Sequence, residues 1–438
     1  MAFNISELDF IFPNDWKLVR LGDIAKINAG SITKKDKFDF IKYIDISSVS
    51  THSFQKPNIL NFNDAPSRAR RKLKDNDFII STVRPNLRQY AFLNKVEENW
   101  IASTGFCVVS ADNETLAWYL YSLVTSEIFT NYLVRVADGG AYPAFNPKEI
   151  EDAIIPLPNP NDLKIISSLA KDIYHKIELN TQINQTLEQI AQTIFKSWFI
   201  DFDPVHAKAN ALASGQTAEQ ATQVAMAVIS GKNTQELHRL QTANPKQYQQ
   251  LWEIAEAFPR GVDEEGVPWG WEERYLKDVC NIVYGKGLPK NKLTEKGFYV
   301  FGANGVIGFY DSYTYEKPQV LIGCRGTVGQ VTLSYPYSFV TNNSLVIEYE
   351  NSCVSMYYLE KYLSNINLKE ISSGSVQPQI TIQNMSKVKI LIPNIEILNF
   401  YSEKVKEIYD KRLHHFYENQ SLSKVRDLLL PKLLSGEV

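Results

Sequence analysis

The sequence predicts an α+β protein in which two mixed, mainly β domains are joined by two long helices of coiled-coil pattern, as an internal pseudo-two-fold repeat. Three observations predict it. The chain has 438 residues, 44% of them hydrophobic, whereas one core usually stops growing near ~250 to 300 residues, so more than one domain is required. Blocks recur in the same order. Pro13, Trp16, Leu21, Asp23, Ile24 and Gly30 are matched 255 positions later by Pro268, Trp271, Leu276, Asp278, Val279 and Gly285. GGAYPAF (139 to 145) and NQTLEQI (184 to 190) return 235 positions later as GSVQPQI (374 to 380) and NQSLSKV (419 to 425), so each half begins and ends alike around an unlike middle. Finally, Gly and Pro vanish from 161 to about 200, where a helical period takes over.

Taken in order, residues 1–160 form the first domain. DFIISTV (77 to 83) and ENWIASTGFCVVS (98 to 110) are short apolar or β-branched runs bounded by Gly, Asn, Asp and Pro, the pattern of strands. Residues 161–200 form the first long helix. Ile166, Ala170, Ile173, Ile177, Asn180, Asn184, Leu187, Ala191 and Ile194 alternate spacings of four and three, a heptad seam. Residues 201–265 are rich in Ala and Gln, with breaks at Gly215 and Gly231, and read as a helical insert that follows only the first long helix. Residues 266–394 form the second domain, with strand runs QVLIGCRG (319 to 326) and SLVIEYE (344 to 350). Residues 395–435 form the second long helix, whose seam is Tyr401, Val405, Ile408, Arg412, His415, Asn419, Leu422, Arg426 and Leu429. Polar layers in the middle of both seams, Asn180 and Asn184 in one and His415 and Asn419 in the other, predict that the helices pack on each other in one register, since a buried polar side chain tolerates few alignments; packing of each helix on its own domain is the alternative.

The composition narrows the function. With 46 Lys and Arg against 49 Asp and Glu, the formal net charge is -3, so any nucleic-acid surface is local rather than global. The 23 Tyr and 22 Phe suit pleated surfaces. Cys107, Cys280, Cys324 and Cys353 lack paired spacing, which predicts neither a disulfide framework nor a zinc cluster, in a reduced, cytoplasmic chain. No run approaches the ~18 apolar residues of a membrane span.

The motifs of catalysis are not found. There is no Pro-Pro pair of the kind an amino-methyltransferase uses beside its target amine, and no Walker loop, so neither methyl transfer nor ATP-driven work is expected of this chain. FGANGVIGFY (301 to 310) spaces its glycines as G-x-x-G-x-x-G with no long helix after it, a β-turn pattern rather than a dinucleotide fingerprint. His414 and His415 are helix neighbours pointing about 100° apart, and no metal site is predicted. The Asp162 and Lys164 pair lacks the strand context of a nuclease and reads as solvated helix surface. No catalytic residue and no cofactor is assigned.

Charge on the variable segments stands out instead. Between Pro66 and Val96, Arg68, Arg70, Arg71, Lys72, Lys74, Arg84, Arg88 and Lys95 face only Asp75 and Asp77, eight against two, a net of +6. That is the footprint phosphates select. Asn86 and Gln89 sit among these arginines, and amides read adenine edges as Arg reads guanine. In the second half Lys286, Lys290 and Arg325 accompany Asn304, Gln377 and Gln379. Any one of these charges also fits a solvated face, and their recurrence in both halves predicts a nucleic-acid partner.

The chain resembles the specificity subunit of type I restriction-modification systems. The resemblance rests on FPNDWKLVRLGDI opening the first half, GVPWGWEERYLKDV opening the second, and NQTLEQIAQTIFKSWFIDFDPV closing the first long helix. FGANGVIGFYD, VLIGCRGTVG and GSVQPQI within the second half add to it. The resemblance implies two target-recognition domains, each reading one half of a split DNA site, held apart by two antiparallel helices. It implies a non-catalytic subunit that recruits two DNA adenine methyltransferase subunits using S-adenosylmethionine, joined for restriction by a translocase and nuclease subunit using ATP and Mg. A stand-alone DNA-binding scaffold or regulator, and a piece of a single-chain restriction enzyme, are the competing expectations.

Overall fold

The structure is a computed structural model that describes residues 3, 4, 13–33, 35–140, 142–374 and 377–435, with side chains as far as 427. The chain divides into two compact units, residues 1–184 with 413–438, and residues 185–412.

In the first unit the strand Phe106–Ala111 is buried at every position, as its near-continuous apolar run, broken only by Ser110, requires. It pairs antiparallel with Ala25–Ile27 on one side and with the equally buried Asp77–Ser81 on the other, and Tyr90–Phe92 completes the sheet. A second four-stranded sheet orders Asn58–Asn61, Phe40–Ile44, Trp100–Ser103 and Ala69–Lys72, with the middle pair parallel. Lys17–Arg20 and Ile154–Leu157 pair antiparallel. Helices Glu114–Val124 and Glu127–Val136 start on Asn113 and Ser126, whose side chains accept from the amides of Leu116 and Phe129 and so satisfy donors a helix start leaves open. Their Trp118, Tyr121 and Phe129 share one core with Phe78 and Tyr90, and with Ile166, Ala170 and Tyr174 of the first long helix.

The second unit repeats this plan. Asn281–Tyr284, Ser344–Glu348, Val320–Gly323 and Val331–Leu333 form a sheet of the same order and the same antiparallel sense. Gly305–Tyr310, Phe298–Gly302 and Phe339–Val340 form a smaller sheet, again with one parallel pair. Glu272–Tyr275 pairs with Lys389–Ile392. These strands start 255 residues after Lys17 and 235 residues after Ile154, the two offsets of the sequence repeat. The insert consists of helices Asp203–Ala213, Ala218–Ser230, Thr234–Ala243 and Pro245–Ala257. Ala225, Met226, Leu237, Leu251 and Ala255 form its own small core. Lys208 is fully buried there and donates to the carbonyls of Ala255 (2.9 Å), Glu256 (3.1 Å) and Phe258 (2.7 Å), closing the end of the last helix.

The long helices are Pro160–Phe199 and Ile395–Ser435. In the first unit the buried Asn180 donates to Glu418 Oε2 and to Asn419 Oδ1, both at 2.8 Å. His415 Nδ1 and Asn184 Oδ1 lie 2.9 Å apart. In the second unit Arg412 pairs with Glu188, and Phe195 packs against Tyr401. Numbers rise on one helix as they fall on the other, so the pair is antiparallel. Ile173, Ile177, Leu187 and Leu422 are half-buried. Ile194 and Ile408 pack against the second unit's core, which contains Val405. Ile166 turns to the first domain's core, and the side chain of Leu429 lies outside the described residues.

Candidate nucleic-acid interface

Every residue of the strand Asp77–Ser81 is buried, and the chain beyond it turns outward. Arg84 (φ 50°) and Arg88 (φ 53°) both adopt left-handed backbone around a short helical turn, Pro85–Leu87, a conformation that non-glycine residues take only where surroundings enforce it. The enforcement is visible. Arg84 N donates to Pro143 O at 2.7 Å, Arg88 N to Pro85 O at 3.0 Å, and Ser81 N to Gln89 O at 2.8 Å. Gln89 gives its amide to the carbonyls of Ile46 and Val49, both at 3.1 Å. The turn therefore presents exposed Asn86 and Leu87 between half-exposed Arg84 and Arg88, while Gln89 is engaged inside the fold. The Arg84 guanidinium stands 4.4 Å from the centre of the Tyr142 ring, and Tyr142 is 69% exposed.

Behind the turn, the His52 ring packs among Tyr90, Tyr121 and Tyr174, with Nδ1 2.8 Å from the Tyr121 hydroxyl. Burial first, then the nearby Arg426 and Arg88, pushes its pKa well below the ordinary value. It stays neutral and adds no charge at physiological pH.

The other cations of the basic stretch lie on a neighbouring edge. Thr104 N donates to Arg68 O (2.8 Å) and Thr82 N to Gly105 O (2.9 Å), which brings the Arg68 segment beside the turn. Arg68 is exposed and pairs with Asp45 at 2.7 Å. Burial pushes the Asp45 carboxyl up, but the Ser47 amide, the Tyr43 hydroxyl and Arg68 outweigh it and leave it below its ordinary value. Arg70 is exposed, its Nε donating to Ser67 O. Arg71 is half-buried. Lys72 pairs with Asp36, whose carboxyl is drawn down to about 2, chiefly by that contact.

The second unit gathers its residues from more segments. Cys324 N and Arg325 N both donate to Asn343 O (2.9 and 3.4 Å), Asn342 N to Lys286 O (3.1 Å), and Lys286 N to Val340 O (2.9 Å). A Cβ on Gly323 would stand 2.5 Å from Ala303 O, so only glycine admits the segment that carries Asn304. Lys286, Asn304 and Arg325 thus meet, exposed, at the end of Val320–Gly323. Ile380 N donates to Cys324 O (3.2 Å), bringing half-exposed Gln379 and exposed Gln377 to the same end. Lys290 is exposed on the short turn Lys290–Lys292.

Sequence reasoning missed Tyr142, although its segment was one of the repeated blocks, and the exposed Asn342 and Asn343. A cleft of 700 Å³ elsewhere in the second unit is lined by Asp278, Glu316, Glu348 and Glu350 with two lysines, a sign that disfavours phosphate. Among the described residues no group of three His, Cys, Asp or Glu could hold a metal ion, and no helix is long and apolar enough to cross a membrane.

A family model described as the type I restriction modification DNA specificity domain matches residues 13–189 and 268–425. The chain is 34% identical to the type I restriction enzyme HindI specificity subunit of Haemophilus influenzae, with 97% of this chain and all of the relative covered. It is 21% identical to the MjaIX specificity subunit of Methanocaldococcus jannaschii, with 97% and 94% covered. Its fold is similar to that of the type I restriction-modification S subunit from M. genitalium, with a TM-score of 0.53 at 15% identity and 96% and 97% of the chains covered.

Proposed function

Since the chain belongs to the family of type I restriction-modification DNA specificity subunits, we propose that it reads a bipartite double-stranded DNA site, one half by each domain. It delivers that address to two adenine methyltransferase subunits and to a restriction and translocase subunit, in the cytoplasm. S-adenosylmethionine belongs to the methyltransferase, ATP and Mg to the translocase, and the chain itself transfers nothing. The recognition domains are residues 1–160 and 266–394, and the long helices at 161–200 and 395–435 fix their separation.

One observation carries the reading. The same four-stranded sheet occurs in both units, and in each an arginine follows its buried inner strand beside an exposed amide: Arg84 with Asn86 of the same turn in one, Arg325 with Asn304 from the neighbouring sheet in the other. Cations set position on phosphates, and amides with arginines read base edges. Arg68, Arg70, Arg71 and Lys72 are the phosphate contacts of the first domain. Arg84, Asn86 and Arg88 are its readers, and Gln89 holds their turn. Lys286 and Lys290 contact phosphate in the second domain, where Asn304, Arg325, Gln377 and Gln379 face the bases.

The test assembles the chain with its adenine methyltransferase and maps N6-methyladenine by methylation-sensitive sequencing. A two-part motif is expected from the assembly, and no methyl transfer from the rigorously purified chain. Arg68→Ala or Arg71→Ala should weaken binding to all sequences and flatten its salt dependence, whereas Arg84→Ala, Asn86→Ala or Arg88→Ala should alter the motif. DNA binding with no effect on any methyltransferase would favour a stand-alone regulator, and five silent substitutions would remove the surface from consideration.

A further inference from the structure

The block GGAYPAF, repeated as GSVQPQI, is also repeated in the geometry of its described residues. Asp138 and Ala144 exchange backbone hydrogen bonds of 3.0 and 2.8 Å, and Ser373 and Gln379 exchange two of 2.9 Å. Gly139 (φ 118°) and Gly374 (φ 100°) occupy corresponding positions in backbone that only glycine adopts without strain. A Cβ at either would stand 3.1 Å from Tyr142 O or 2.9 Å from Gln377 O. Each hairpin is fastened in the same place: Phe145 N donates to Thr82 O (3.0 Å) and Ile380 N to Cys324 O (3.2 Å), just past the ends of the paired inner strands. The anchoring side chains Phe145 and Ile380 are buried, while Tyr142 and Gln377 are exposed.

The readers beside these hairpins differ. Arg84, Pro85 and Asn86 follow one strand, and Arg325, Gly326 and Thr327 follow the other. Different half-sites demand different readers, so a part built alike in both domains serves a step that both half-sites share. On the proposed function, which this inference rests on, the shared step is the removal of one adenine from the base stack so that the methyltransferase can reach N6. An extruded base leaves a gap and an unpaired thymine. The filler that suits such a gap is flat, uncharged and rigidly mounted, as with side chains inserted between base steps. Tyr142 and Gln377 are the flat, uncharged side chains displayed by these anchored hairpins, and Arg84 backs the Tyr142 ring.

We propose that Tyr142 and Gln377, at the two matched hairpins, are positioning residues that hold the duplex open at the target adenine of their respective half-sites. They act on base extrusion rather than on the letters of the motif.

The experiment uses the chain assembled with its methyltransferase, and duplexes carrying the mapped motif with 2-aminopurine replacing the target adenine of one half-site at a time. Fluorescence reports unstacking, and methylation of the unsubstituted duplex is followed at each half-site. Tyr142→Ala should lower both the signal and the methylation rate by about tenfold or more at the first domain's half-site. The second half-site serves as an internal control. Gln377→Ala should do the converse, and Tyr142→Phe should behave as the parent. The motif should not change. Unaltered 2-aminopurine signals in both alanine variants would overturn the proposal, as would altered letters in the motif, which would make these side chains readers. If Arg84→Ala and Asn86→Ala change the motif while both hairpin variants are silent, only this inference falls. If the Arg84 and Asn86 variants are silent as well, the underlying reading falls with it.

Discussion

The two recognition domains share a sheet and differ in what leaves its end. In the first, Asp77–Ser81 runs into a turn with two arginines in left-handed backbone, and a neighbouring strand, Ala69–Lys72, adds a basic edge. In the second, Val320–Gly323 runs into a turn eased by Gly326 and Gly329, both at positive φ, and its cations come from separate segments around Lys286 and Lys290. The scaffold is held by side chains with no exposure, such as Phe78, Ile79, Leu345 and Val346, and close packing punishes change there. The turns carry little of that packing. On the proposed function, a protein built this way can alter what it reads without altering how it folds.

The largest expected effect comes from that independence. Replacing residues 11–158 with the matching stretch of a relative should change one half of the methylated motif and leave the other as it was, read by sequencing. A change in both halves would break the comparison between domains.

Next comes the helix pair. His415 lies across from Asn184, and Arg412 across from Glu188, so matched heptads belong between Asn184 and Gln185 and between Arg412 and Leu413. The insertion keeps the seam and adds ~10 Å of helix. The motif should keep both halves and widen its spacer by about three base pairs, with a penalty from changed facing on the duplex. An active double insertion with the original spacer would show that these helices do not set the distance.

The helix pair also differs along its length. Its part in the first unit is joined by the amide layer of Asn180, Asn184, His415 and Asn419. In the second unit Glu188 pairs with both Arg412 and the buried Lys361, which also meets Glu360 at 3.0 Å. Glu188→Gln leaves the buried Lys361 with Glu360 alone in a network whose Glu188 and Arg412 are only partly buried, so it should destabilise the protein by about 1 to 2 kcal/mol. Asn184→Leu combined with His415→Leu should raise thermal stability by about 1 kcal/mol, since an apolar layer replaces a polar one. Thermal unfolding checks both signs.

One further substitution, read by its pH dependence, sharpens the sheet comparison. Ser81 faces Phe106, and Gly323 faces Ser344, so four residues earlier Asp77 corresponds to Gln319, and both are buried. Burial pushes the Asp77 carboxyl up to about 6 from 3.8, against hydrogen bonds from Ser110 and the Lys74 amide. The folded state then holds a proton more tightly than the unfolded one, and stability falls as pH rises from about 4 to 6. Asp77→Asn, neutral like Gln319, should be more stable than the parent at pH 7 by about 1 to 3 kcal/mol. Urea unfolding should show that advantage vanish below about pH 4. An equal gain at both pH values would mean that charge is not its source.

Much of the fold was legible because its signals are local. The heptad spacing from Ile166 onward, the strand runs at 77 to 83 and 319 to 326, and each repeated block sit within short windows, and the strands at Lys17 and Glu272 and at Ile154 and Lys389 begin where the two repeat offsets place them. Parts of the site were less legible. Nothing local distinguishes Arg68, paired with Asp45, or Lys72, paired with Asp36, from Arg70. Gln89 looked like a reader, yet its amide meets carbonyls at 46 and 49, some 40 residues away.

The sequence by itself determined two β-rich domains and two long helices, because hydrophobic period and short recurring blocks are properties of neighbouring residues, and its motifs carried the resemblance to a DNA-specificity family. Only the tertiary structure decided which polar side chains stay available to a partner. It placed Tyr142 over Arg84 and brought Asn304 to Arg325 through the glycine at 323. It also set Asn184 against His415 rather than leaving each to its own domain. Those pairings join residues tens to hundreds of positions apart, and their geometry exists only once the buried strands and helices have fixed where each turn begins.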